Sequence, residues 1–159
     1  MPHSAVAISR SVYIVYNVSM SQVVSLRLPD QQAARLKRYA RRIGRTPGET
    51  GRILLDEALR QMEFVHIEFR DSAIGRQAYI KGCRSQVWMV MMIAEGYGND
   101  VAKTAEHFQW PVEWVQAAFN YTKAYPDEIY PAIKANDAMT FEVVQRLLPS
   151  IERFDISDD

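Results

Sequence analysis

Residues 23–62 read VVSLRLPDQQAARLKRYARRIGRTPGETGRILLDEALRQM, and this stretch decides the fold of the amino-terminal part. Val23–Leu28 alternates, with Val24, Leu26 and Leu28 on one side and Val23, Ser25 and Arg27 on the other, which is the period of a short half-buried strand. Pro29 ends it, and Asp30 is positioned to cap a helix. Ala33, Leu36, Ala40 and Ile43 then recur at helical spacing, while Arg35, Lys37, Arg38, Arg41 and Arg42 fill the remaining surface. Gly44 suits the left-handed residue after a helix. Thr46-Pro47-Gly48-Glu49 is a capping box with proline at the first helical position, so a second helix starts there. Ile53, Leu54, Ala58, Leu59 and Met62 form its apolar side. A strand-helix-helix unit of about forty residues is too small to bury a core alone, and dimerisation is expected.

Beyond Glu63 the period returns to two. Phe64–Phe69 and Ala78–Ile80 are expected strands joined through a turn at Gly75. Val87–Ala94 reads as a buried helix ending at Gly96, followed by a short helix capped at Asn99 or Asp100 and running to Phe108. Pro111 opens another helix reaching about Tyr125, and 127–136 and 140–148 are the last two helical segments. The expected fold class is mostly α with short β. A ribbon module at 20–62 is followed by a trihelical helix-turn-helix module at 63–136 and a helical tail at 137–159. Residues 1–19 form an extension with a possible edge strand at Ser11–Val18.

The charge is zero in total, nineteen Lys+Arg against nineteen Asp+Glu, yet it is unevenly placed. Residues 20–62 hold nine basic and four acidic side chains; residues 126–159 hold three basic and eight acidic ones. One end is suited to polyanions and the other would be repelled by them. Hydrophobic residues at 48% and charged residues at 24% exclude wholesale disorder. Lone Cys83 excludes an internal disulfide and fits a reducing cytoplasm. No apolar run reaches the ~18–20 residues of a membrane span. Arg10 and Asn17 interrupt the apolar Ser4–Val18 stretch, so an export signal is not expected.

The segment Val23–Met62 resembles the ribbon-helix-helix proteins of the MetJ/Arc/CopG superfamily, in the "VSLRLPD…GRTPGE…R" form common in bacterial antitoxins. The resemblance implies an antiparallel ribbon from two chains, of the width that the major groove accepts. Val23, Ser25 and Arg27 would then face base edges, and Thr46 and Gly48 at the start of the second helix would meet a phosphate. Arg27 suits guanine O6/N7, and Ser25 suits either base type. Glu49 competes with that anion unless its capping role turns it inward. The plainer alternative is a generic β edge and a solvated basic helix.

Residues 65–129 are similar to a bacterial antitoxin family of unknown biochemical role built on a helix-turn-helix. The family pattern is roughly "GxPvIxGTRipVw", and Gly82, Arg84, Val87 and Trp88 agree with it. Cys83 replaces its threonine and Gln77 its proline. This likeness implies a VapB-like antitoxin, partnered by a PIN-like ribonuclease toxin. The face Glu113, Gln116, Asn120 and Lys123 would read DNA, but one acid and one lysine make a poor phosphate grip, so a scaffold packed on Trp88, Trp110, Trp114 and Phe119 is the preferred alternative. In the tail, Phe141, Leu147, Leu148, Ile151 and Phe154 are the expected toxin anchors, with Val144 and Ile156 beside them; the alternative is that they dock on their own module.

No catalytic, cofactor-binding or metal residues are expected. His3, His66 and His107 are scattered, no CxxC, HExxH, Walker loop or GxSxG occurs, and Cys83 reads as structural. The expected protein is a cytoplasmic dimeric antitoxin that represses its own operon. Two competitors stand beside it. One is a stand-alone regulator with a carboxyl-terminal assembly or sensing domain, and the other is a protein inhibitor with a vestigial DNA domain.

Overall fold

The computed structural model describes residues 23–72 and 75–152. The possible edge strand at Ser11–Val18, and Phe154 and Ile156 of the tail, lie outside the described residues. The fold is mostly helical, with seven helices and one small antiparallel sheet among the described residues. Helix α1 (Asp30–Arg42) and helix α2 (Pro47–Glu63) pack on each other and lead into the hairpin β1 (Ile67–Ser72) and β2 (Gly75–Ile80). Then come α3 (Val87–Gly96), α4 (Val101–Phe108), α5 (Val112–Ala124), α6 (Pro126–Asp137) and α7 (Phe141–Leu147).

Local chemistry accounts for most boundaries. The α2 capping box forms as the sequence predicts: the Thr46 side chain accepts the Glu49 N–H, and the Glu49 carboxylate accepts the Thr46 N–H at 2.9 Å. Gly44 closes α1 at φ +67°, a conformation that costs a side-chain-bearing residue. Asp100 caps α4 by accepting the Lys103 N–H at 3.0 Å. Asp30 does not cap α1. It is the first helical residue behind Pro29 and makes no side-chain cap bond, so its carboxylate favours the helix only through its place in the first turn.

Three strand boundaries differ from the alternation of the sequence: β2 begins at Gly75 and not at Ala78, because Gly75 pairs with Ser72 across the hairpin and lies in the strand. β1 begins at Ile67, three residues later than expected, because Phe64 is spent closing α2 through its N–H on the Arg60 carbonyl and then accepts the Ile67 N–H at 3.0 Å. It extends instead to Ser72, where polar residues are satisfied across the hairpin in a register that runs from Ile67↔Ile80 to Ser72↔Gly75. Val23–Leu28 is not a hydrogen-bonded strand in the single chain. It has no regular secondary structure, and no strand pairs with it among the described residues.

The core lies in the carboxyl-terminal two-thirds. α3 packs on α5 and α6, α4 on α5, and α2 on β1. Tyr121 is the largest of its fully buried side chains and shares one cluster with Ile67, Ile80, Val87, Val90 and Val115. Phe64 and Phe69 meet the Tyr121 ring edge-on, with centroids at 5.3 and 6.2 Å. No helix among the described residues is long and apolar enough to cross a membrane.

Candidate nucleic-acid interface

Val24, Leu26 and Leu28 line an open groove of about 490 Å³ whose other wall is Leu36, Pro47, Gly48, Gly51, Arg52 and Leu55. Val23, Ser25 and Arg27 take no part in that lining and are exposed. Alternate residues of the segment thus differ in place: Val24, Leu26 and Leu28 border the groove beside α1 and α2, and Val23, Ser25 and Arg27 do not. The groove is unfilled. Val24 is 73% exposed, Leu26 70% and Leu55 50%. Gly51 stands beside Leu36; a β-carbon there would lie 3.8 Å from its Cδ2, an ordinary contact.

At the start of α2, Thr46 and Gly48 are exposed, as a phosphate contact requires. Glu49 is not turned inward. It is exposed, and its Oε2 accepts both the Thr46 N–H and the Thr46 hydroxyl, the latter at 2.7 Å. That hydroxyl bond, helped by the Thr46 backbone and by nearby Arg45 and Arg52, holds the carboxyl below its ordinary value. A phosphate at this terminus competes with a resident carboxylate for Thr46, which leaves Gly48 as the less encumbered contact.

α1 presents Arg35, Lys37, Arg38, Arg41 and Arg42 to solvent. Arg42 reaches Asp71 at 3.5 Å and lies over the Tyr39 ring at 4.8 Å, while the Tyr39 hydroxyl donates to Asp71 at 3.2 Å. Among the described residues the other four cations of α1 form no ion pair.

α4 turns through the left-handed Gln109 at φ 54° into α5, and the two helices pack on each other. Glu113, Gln116, Asn120 and Lys123 are all exposed on α5, and Gln116 donates to Asn120 at 3.0 Å. Trp88, Trp110, Trp114 and Phe119 are half-buried against the core, as the scaffold reading expects. In the tail, Leu147 and Leu148 are exposed, Phe141 and Ile151 are half-buried, and no residue of α7 is fully buried. Cys83 and His107 have different partners. Arg70 donates to the Cys83 carbonyl at 2.8 Å and burial pushes the thiol up, while His107 Nδ1 pairs with the Tyr97 hydroxyl at 2.9 Å.

Two arginines that the sequence pattern did not single out tie α2 to the carboxyl-terminal core. Arg60 donates to the Tyr121 hydroxyl at 2.9 Å and to Glu128 at 2.6 Å, pairs with Asp56 at 2.8 Å, and stacks over Tyr125 at 3.8 Å. Arg76 grips Glu57 and also reaches Asp71, the Tyr39 hydroxyl and the Phe69 carbonyl. Both guanidinium groups are held above their ordinary range; for Arg76 the Glu57 hydrogen bond dominates, and for Arg60 the Glu128 and Tyr121 bonds outweigh burial. Comparison with family models, with curated proteins and with solved structures finds no match to this chain.

Proposed function

We propose that this protein is a dimeric DNA-binding antitoxin of the VapB-like kind. Its amino-terminal unit would read operator DNA through a ribbon made from two copies of Val23–Leu28. Its carboxyl half would inhibit a PIN-like ribonuclease toxin. The observation that carries the reading is the open groove: Val24, Leu26 and Leu28 line it with Leu36 and Leu55 yet stay exposed, while Ser25 and Arg27 are exposed outside it. A second copy pairing along Val23–Leu28 would satisfy the open backbone and cover this apolar surface together. Arg27 would then stand in the major groove twice, once per half-site.

The toxin-binding half of the proposal rests on α7, where Leu147 and Leu148 are exposed side by side as anchors would be in the free protein. A second reading is a stand-alone regulator. It draws support from the Arg60 and Arg76 clasps, which join α2 to a packed carboxyl-terminal domain and would let an event there reach the ribbon.

The test combines sedimentation with a mobility-shift titration on the DNA upstream of the chain's own reading frame. The expected result is a dimer at low micromolar concentration, with Arg27→Ala weakening base preference by about 1–3 kcal/mol per contact. A folded monomer, or operator binding indifferent to Arg27, overturns the DNA part. Co-purification with the product of the adjacent reading frame, and loss of its ribonuclease activity in the complex, separates antitoxin from regulator.

A further inference from the structure

The cations of α1 are in surplus, and the way this chain treats charge elsewhere makes the surplus informative. On α2, Asp56 and Arg60 stand four residues apart and pair at 2.8 Å, the ordinary arrangement of a helix face that only meets solvent. On α1, Arg35, Lys37, Arg38, Arg41 and Arg42 share the helix with one acid, Asp30, at its far end. Arg35 with Arg38, Lys37 with Arg41, and Arg38 with Arg42 are like-charged neighbours at helical spacing, each mildly destabilising. Only Arg42 among them has an ion pair among the described residues. All five are exposed, and for Arg35, Lys37, Arg38 and Arg41 the repulsion is screened by water and salt.

The chain does not place these charges on the reading segment. Arg27 is the one cation of Val23–Leu28, whereas Arg35 to Arg41 lie on the outward side of a helix whose inward side, through Leu36 and Ala40, packs toward α2. Six residues of helix rise about 9 Å. Duplex phosphates advance ~3.4 Å along each strand, so such a stripe matches two or three consecutive phosphates. Arg35, Arg38 and Arg42 also border a shallow depression around Tyr39, whose hydroxyl is already committed to Asp71. Charge without base-reading geometry is the signature of a backbone contact.

We propose that the outward face of α1, through Arg35, Arg38 and Arg41 with Lys37 beside them, is a second nucleic-acid surface that binds phosphodiester backbone outside the stretch read by Val23–Leu28. The inference rests on the DNA-binding reading above but does not need the ribbon to be the reader. The backbone is supplied either by the flank of the same duplex or by a second duplex.

The experiment uses the full chain, a random-sequence duplex of about 30 base pairs, and fluorescence anisotropy over a salt series. Three released counterion contacts correspond to a slope of ~2.7 in log affinity against log salt. Over a fourfold salt increase, the unsubstituted protein should therefore lose about 40-fold more affinity than Arg35→Gln/Arg38→Gln/Arg41→Gln. The matching triple lysine variant should restore the slope, and thermal melts should match, because the three side chains are exposed. A slope unchanged by the glutamine substitutions, or not restored by the lysine variant, overturns the proposal. Energy transfer between donor- and acceptor-labelled duplexes, lost in the glutamine variant, identifies a second duplex; its absence with the slope effect intact identifies the flank. On the DNA upstream of the reading frame the two readings separate: Arg27→Ala losing base preference with the slope kept assigns reading to the ribbon, and the glutamine variant losing slope with preference kept assigns the backbone contact to α1.

Discussion

Arg76 closes on Glu57 through two nitrogens, Nε to Oε1 at 2.9 Å and Nη2 to Oε2 at 2.5 Å, and so joins the hairpin to the second helix. The Glu57 side chain is 8% exposed and that of Arg76 26%, so this is a largely desolvated ion pair. Such pairs are expensive to break and cheap to replace, because removing one partner strands the other's charge. Arg76→Ala or Glu57→Ala alone should each cost roughly 2–4 kcal/mol in a denaturant melt. Arg76→Met with Glu57→Leu should cost clearly less than the sum of the singles, and a fully additive cycle would show that the pair is not coupled.

The second clasp gives a sharper test of a single atom. The Tyr121 hydroxyl donates to Glu128 at 2.7 Å and accepts from Arg60 at 2.9 Å while its ring is fully buried. Tyr121→Phe keeps the ring and deletes both bonds, and should cost about 1–3 kcal/mol because Arg60 and Glu128 lose a shared partner. Tyr121→Ala should cost about 3–5 kcal/mol through the cavity it leaves. Equal costs for the two substitutions would mean that the hydroxyl, and not the ring, dominates the site.

How much of this was legible in the sequence follows from the range of each signal. The capping box at Thr46 and Glu49, the glycine stop at Gly44 and the Asp100 cap act within four residues, and all three formed as read. The clasps did not announce themselves: Arg60 and Glu128 are 68 positions apart and Arg76 and Glu57 are 19 apart, distances over which composition carries no pairing information. The pattern points to the tryptophans as packing residues, yet Tyr121 is fully buried and the tryptophans are half-buried against the same core. Aromatic residues at helical spacing show that a core exists without showing which ring sits at its centre. The β1 end moved for a similar reason: Ile67 and Phe69 keep the alternation, but Arg70, Asp71 and Ser72 add no apolar residue and are strand through their partners in the hairpin.

The capping box should impose an acid limit on α2. Thr46 donates to Glu49 from its hydroxyl and its backbone, and the carboxyl is held below its ordinary value as a result. A carboxyl lowered in the fold favours the folded state above its unfolded pKa, about 4.3, and the advantage disappears as pH falls through the lowered value. Helicity followed by circular dichroism should therefore decline below roughly pH 4 with a component that Glu49→Gln removes. An identical acid profile for the glutamine variant would show that another carboxyl sets the limit.

The tail offers two outcomes that exclude each other. No residue of α7 is fully buried, and Leu147 and Leu148 are exposed, so the helix adds little to its own domain. Leu147→Asp with Leu148→Asp should leave the melt within about 0.5 kcal/mol of the parent, as surface substitutions generally do. The same pair should abolish capture of the proposed toxin, since apolar anchors carry most of the energy of an interface and a carboxylate in an anchor pocket is left desolvated and unpaired. Dimerisation and DNA binding should be untouched, because the ribbon segment and α1 make no use of these residues. A protein that melts earlier with the substitutions would place the two leucines in its own core, and a stable variant that still inhibits would remove α7 from the toxin-binding surface.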